Sequence, residues 1–310
     1  MTFKSSIKIV AALLLCLLPV ITMQASSEAA TSPALPLVVS NPAWRPLGQR
    51  WDRGLQAKLD QALKKEKLWQ TLIGAGKMAV GLVDLYDPAK PRFAQVNGNT
   101  MMYAASLPKI AILLAAFQGF ADGSLKETPQ IRGDLIEMIR RSDNFAASQM
   151  VARIGLRKIE RIILEPHYRF YDAKTGGGIW VGGSFGRDGE QNREPLKNLV
   201  QAATVNQVCR FYYLLAYGRL ISPESSRQML KILAFPDLHD KFVSVLEKEV
   251  APNYLYRKSG EFRIWFSDSV LVWGAAWRRY ILVAMVEDPR GEQILRNLVP
   301  MAENILRPRR

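Results

Sequence analysis

The sequence predicts an α/β (α+β) domain: a mostly antiparallel sheet flanked by N- and C-terminal helices and interrupted by an inserted all-helical lobe. Three observations predict it. Strand-like aliphatic runs form two groups, 78–86 and 92–97 early in the chain and 254–258, 267–273 and 280–287 late in it. Short turns such as Asp87-Pro88 separate neighbours within a group, which favours antiparallel pairing. Between the groups lie helical patterns and a glycine-rich loop, with no internal repeat.

The elements follow in order. Lys4 and Lys8 precede an apolar stretch at 9–21, and small residues (Ala25, Ser26, Ser27, Ala29, Ala30) come next. This is the pattern of a cleaved signal peptide, taken as residues 1–25. The apolar run is short for a bilayer, so no stable membrane span is expected after cleavage. Leu15 before Cys16 is bulky where a lipoprotein signal carries a small residue. Residues 26–50, with Pro33, Pro36, Pro42 and Pro46, read as a linker. From 51 to 73, Leu55, Leu59, Leu63 and Leu72 recur at helical spacing. Helices are predicted at 106–120, 135–141, 146–154, 206–217, 223–233 and 291–306. Residues 172–198, with seven glycines from Gly176 to Gly189, read as a long irregular loop, a class of segment usually tied to function. The domain is placed at 51–306, its α/β lobe at 51–105 and 223–306 and its helical lobe at 106–222.

Composition narrows the chemistry. With 48% hydrophobic and 23% charged residues, the chain is an ordinary folded protein. His167, His239 and Cys209 are far apart, so neither a metal site nor a cofactor is expected. The net charge of +14 would suggest nucleic acid in a cytoplasmic protein. The basic residues are dispersed without aromatic interleaving, however, and the leader predicts a periplasmic or secreted, monomeric protein that binds no nucleic acid. Ser, Lys, Asp, Glu and Asn are left to do the chemistry.

Three short motifs carry that chemistry. In Ser106-Leu107-Pro108-Lys109 the serine and lysine share one helix face, and Pro108 restricts the motif to the first turn. A serine at a helix N-terminus beside a lysine of lowered pKa has the parts of a nucleophile and its base. Ser142-Asp143-Asn144 breaks a helical pattern, and Lys258-Ser259-Gly260 ends a strand. Alone, each has a plainer reading as a capping serine, a helix N-cap and a turn. Together they form the ordered set S-x-x-K, S-D-N, K-[TS]-G.

With the segments at 139–147, 203–233 and 257–273, these motifs resemble class A β-lactamases over about residues 51–306. The resemblance implies a two-lobed serine hydrolase whose site lies between the lobes, acting on a β-lactam or a cell-wall peptide. It makes Ser106 the acylated nucleophile, Lys109 its base partner and Ser142 the proton relay. Asn144 would hold the substrate's side-chain amide, and Lys258 and Ser259 its carboxylate. Gly260 completes the third motif, and the backbone N–H groups of Ser106 and Glu261 would form the oxyanion hole. Glu194, in Glu194-Pro195-Leu196-Lys197-Asn198, matches the family's deacylation-base string, with Glu190 as the alternative base or neither in the role.

Two other readings compete. One is a penicillin-binding acyl-enzyme former with poor turnover, or a non-catalytic periplasmic scaffold. The other uses Gly182-Gly183-Ser184-Phe185-Gly186 as a G-x-S-x-G nucleophile elbow, which needs a strand before Ser184 and a helix after it.

Overall fold

The computed structural model describes residues 44–186 and 189–308. The expected signal peptide and most of the expected linker lie outside them. Residues 44–50 do not behave as linker. Leu47 is buried, Trp44 stacks on Tyr213, and the Tyr213 hydroxyl donates to Arg45 O at 2.9 Å. Apolar burial thus extends the domain upstream of residue 51.

The predicted helix at 51–73 is two helices, α1 (Arg53–Leu63) and α2 (Lys67–Gly74). The run Lys64-Lys65-Glu66 between them has nothing to bury, while Leu55, Leu59 and Leu63 on one side and Trp69 and Leu72 on the other do. Next come β1 (Met78–Asp84), β2 (Arg92–Val96) and β3 (Met102–Tyr103). The helical lobe holds α3 (Lys109–Asp122), α4 (Pro129–Arg140), α5 (Asn144–Ile154) and α6 (Leu156–Leu164). The predicted irregular loop contains short strands: β4 (Tyr171–Asp172) pairs with β5 (Gly177–Gly178), while β6 (Trp180–Val181) and β7 (Gln201–Ala203) join β3 in the order β3-β7-β6. The chain continues through α7 (Val205–Ala216), α8 (Pro223–Leu233), α9 (Val243–Leu246), β8 (Leu255–Phe262), β9 (Trp265–Trp273), β10 (Arg279–Glu287) and α10 (Gly291–Leu306).

The main sheet is antiparallel throughout, in the order β2-β1-β10-β9-β8, so the early and late strand groups meet at the β1–β10 pair. Period-two alternation divides each central strand between two cores. Tyr280, Leu282, Ala284 and Val286 of β10 face α1 and α10, while Ile281, Val283 and Met285 face the opposite way, into the helical core. α7 lies directly on that second face. A Cβ at Gly81 of β1 would sit 2.6 Å from Cys209 Sγ of α7, so glycine permits this approach. α8, expected with the α/β lobe, packs on α3 and α4 as well as on β8, so the helical packing runs past the expected boundary at 222. Among the described residues, no helix is long and apolar enough to cross a membrane.

β8 is an edge strand of this sheet, and buried charge anchors it. Arg257 Nε and Nη2 each donate at 2.8 Å to the two oxygens of Asp268 on β9, and Arg257 also pairs with Asp240. Asp268 is fully buried and accepts from Phe242 N–H as well. Removing one partner of such a pair strands the other charge away from water. Asp268→Ala should therefore cost about 3–5 kcal/mol in a urea unfolding titration.

Candidate active site

Three segments build the site. The first is the turn before α3. Leu107 N–H donates to Ala104 O and Lys109 N–H to Ser106 O, so the chain enters α3 through tight i→i+3 turns. In such turns residues i and i+3 eclipse, which brings Ser106 and Lys109 to one side. Ala105, just before the serine, has φ +48°, a left-handed conformation uncommon outside glycine. The Ser106 N–H donates no hydrogen bond among the described residues, which leaves it available to an oxyanion.

The second segment is the Ser142-Asp143-Asn144 break. Asp143 is the N-cap of α5, its side chain accepting from Ala146 N–H. The plain capping reading is thus correct for Asp143, and the cap sets the direction of its neighbours. Ser142 has φ +58°, and its carbonyl accepts from Lys109 Nζ at 2.6 Å. Lys109 Nζ also donates to Asp143 O at 3.2 Å and to Asn144 Oδ1 at 2.8 Å. The amine is fully buried. Burial pushes Lys109 down to about 7, against the opposing pull of the Asp143 charge.

The third segment is β8. Lys258 Nζ donates to Ser142 Oγ at 2.8 Å and to Ser259 O at 2.6 Å. Burial first, then the positive charges of Lys109 and Arg257, hold Lys258 well below the ordinary lysine range. A hydrogen-bonded chain fixes its backbone from behind: Tyr212 OH lies 3.0 Å from Ser269 Oγ, which donates to Lys258 O at 2.7 Å. Gly260 is required where it stands, since a Cβ there would lie 2.3 Å from Ala104 O and 2.7 Å from Ser106 N. Ser267 Oγ donates to Ala104 O and Gly260 O, tying the serine turn to β8 and β9. Ser259 is buried, whereas Glu261 is exposed and ion-paired with buried Lys241 at 2.8 Å. That pairing neutralises the carboxylate beside the proposed carboxylate pocket.

The structure therefore brings Ser142, Asn144 and Lys258 directly together around Lys109, with Ser106 on the adjoining turn and Gly260 against it. Glu194 is not part of this group. It is buried, and its carboxylate accepts from the N–H groups of Leu196 and Lys197 in its own turn. Its charge acts, after burial, in pushing the Tyr171 hydroxyl up to about 12. Glu190 is exposed. Among the described residues no carboxylate forms an ion pair with Lys109, and no His, Cys, Asp and Glu group gathers to hold a metal ion. What covers Lys109 instead is Phe185, its ring centroid 4.7 Å from Nζ. Phe185 N–H donates to Ser148 Oγ at 3.0 Å, and that hydroxyl donates back to Phe185 O at 3.1 Å.

Sequence reasoning passed over Phe185, Ser148 and Ser267. A lone aromatic in a glycine run, and a serine one helical turn after Asn144, were the available signals for the first two. The elbow reading of Ser184 fails: the two-residue β6 precedes it, and among the described residues between Ser184 and α7 no helix begins. Phe185 and Gly186 of that string border the site instead, a Cβ at Gly186 falling 3.3 Å from Asn144 Nδ2.

Comparison with known proteins bears on the fold and the family. No curated protein matches the chain. Solved structures match its fold: PBP-A (TM-score 0.58, 19% identity, 84% of this chain and 97% of that one) and the beta-lactamase from Sphaerobacter thermophilus DSM 20745 (0.57, 18%, 77% and 98%). The TLA-1 extended spectrum beta-lactamase is similar as well (0.58, 13%, 81% and 98%). Residues 128–303 match the profile of the beta-lactamase enzyme family, more than half of the chain, and the chain belongs to that family.

Proposed function

We propose that the protein is an exported serine hydrolase that forms an acyl-enzyme on Ser106 with a β-lactam or a related cell-wall peptide, and that releases it slowly. The observation that carries this reading is the meeting of two buried amines on one serine residue, Lys109 at Ser142 O and Lys258 at Ser142 Oγ. Export rests on the leader pattern at 1–25, and the soluble form is taken as a monomer without nucleic-acid partners. A mutant of PBP-A, one of the structures of similar fold, has been captured as an acyl-enzyme complex with penicillin G.

The chemistry follows from the positions. An amine with a pKa near 7 is about half neutral at neutral pH and can take the Ser106 hydroxyl proton as Oγ attacks the carbonyl carbon. The Ser106 and Glu261 N–H groups receive the oxyanion. As the C–N bond breaks, Ser142 passes its hydroxyl proton to the leaving nitrogen. Lys258, whose Nζ donates to Ser142 Oγ at 2.8 Å, is the amine placed to replace it, while Lys109 holds the proton taken from Ser106. Lys258 and Ser259 bind the substrate carboxylate, a task suited to a cation and a hydroxyl. Release of the acyl group needs a base over a water, and Glu194 is engaged in its own turn. Release is therefore slow, which favours the penicillin-binding reading over a fast lactamase.

A fluorescent penicillin should label the protein at Ser106, located by mass spectrometry, and Ser106→Ala should lose the label. An unlabelled wild type, or an adduct on Ser184, would overturn the reading. Lys109→Ala should slow labelling by roughly 10²–10⁴-fold, the usual effect of a positioned base. Because the base must be neutral, wild-type acylation should rise with pH through about 7 and level off above it. Glu194→Gln keeps an oxygen that the Leu196 and Lys197 N–H groups can reach, so the lifetime of the adduct should match wild type.

A further inference from the structure

Lys109 has one neighbour that the acylation chemistry does not use. Its three polar contacts come from α5 and its cap: Ser142 O, Asp143 O and Asn144 Oδ1. The Phe185 ring from the glycine-rich loop also packs over the amine, its centroid 4.7 Å from Nζ. Loops of this composition are usually loose, yet this residue is fixed. Its N–H and C=O are both bonded to Ser148 Oγ, and Ser148 is buried on α5, one turn from Asn144. The same helix therefore holds the polar side of the amine and, through Ser148, the aromatic cover.

We infer that Phe185 is a positioning residue that seals Lys109 from water, and that this seal, clamped by Ser148, sets both the amine's proton affinity and the long life of the Ser106 acyl-enzyme. The charged groups facing the amine are Asp143 from the cap of α5 and Lys258 from β8, with Arg257 behind Lys258. None of them belongs to the loop that carries Phe185, so the ring can be altered without altering those charges. A cation over a ring face gains about 0.5–2 kcal/mol. Desolvation of a buried amine acts in the opposite sense and reaches several pKa units. Water exclusion is therefore the larger effect of the ring. The second half of the inference, on lifetime, rests on the proposed acyl-enzyme chemistry; the first half does not.

The test follows the ¹³Cε resonance of Lys109 through a pH titration in lysine-labelled protein, assigned with Lys109→Arg. Phe185→Leu, Phe185→Ala and Ser148→Ala are compared with wild type. Leucine keeps an apolar cover, so its midpoint should match wild type, while Phe185→Ala should move it up by about one unit as water reaches the amine. Ser148→Ala should move it part of the way. Mass spectrometry of penicillin-treated protein should show the adduct's lifetime shortened about tenfold in Phe185→Ala and unchanged in Phe185→Leu. A Phe185→Ala midpoint equal to wild type, or a Phe185→Leu shift as large as that of alanine, overturns the seal. If Ser106 never labels in any variant, the acyl-enzyme reading and the lifetime half fail, while the titration still decides the seal.

Discussion

Two lysine amines are buried against a single serine residue, and the rest of the site is arranged around that constraint. Lys109 arrives on α3 and Lys258 on β8, and Ser142 receives one on its carbonyl and the other on its hydroxyl. Amines so close and so dry cannot both hold their charge at little cost: burial lowers the proton affinity of both, and the charge of Lys109 lowers that of Lys258 further. The fold opposes their separation on every side: the N-cap of α5 fixes Ser142, the Tyr212–Ser269 relay fixes Lys258, and the Arg257–Asp268 pair fixes the strand itself. Groups whose proton affinity is shifted this far mark a functional site more often than a structural one.

Most of the fold was legible because its signals are local. Alternating aliphatics marked the strands, and the split of β10 between two cores shows why those runs are apolar throughout. The ordered lysine and serine motifs marked Ser106, Lys109, Ser142 and Lys258, since each needs only a short segment to be recognised. What the sequence did not show was settled at a distance. The burial of Trp44 depends on Tyr213, and the pairing of β3 with β7 joins segments a hundred residues apart. The break between α1 and α2 turns on which leucines find a partner, which periodicity alone does not reveal.

Glu194 shows how one string of residues can serve two ends. Glu-Pro-x-x-Asn is a matching string, but a carboxylate two or three residues before free N–H groups can also close its own turn. Glu194 makes the second use, and an aromatic ring from earlier in the same loop packs over the Lys109 amine. The converse holds at Asp143, where the capping role and the functional one coincide. Motif letters state which groups are present; the backbone decides which way they turn.

The hydrogen bond from Lys258 to Ser142 spans 116 residues of chain. No local segment contains a usable fraction of the site, because the Ser106 turn, the Ser142 break and the strand carrying Lys258 come from three well-separated parts of the polypeptide. Contacts of this range form late, after the entropy of closing long loops has been overcome. A partly folded chain, with either hydrophobic core collapsed alone, has no paired amines and no chemistry. The meeting of the two amines is thus a report of complete assembly: it exists only once both lobes and all three segments have found their places.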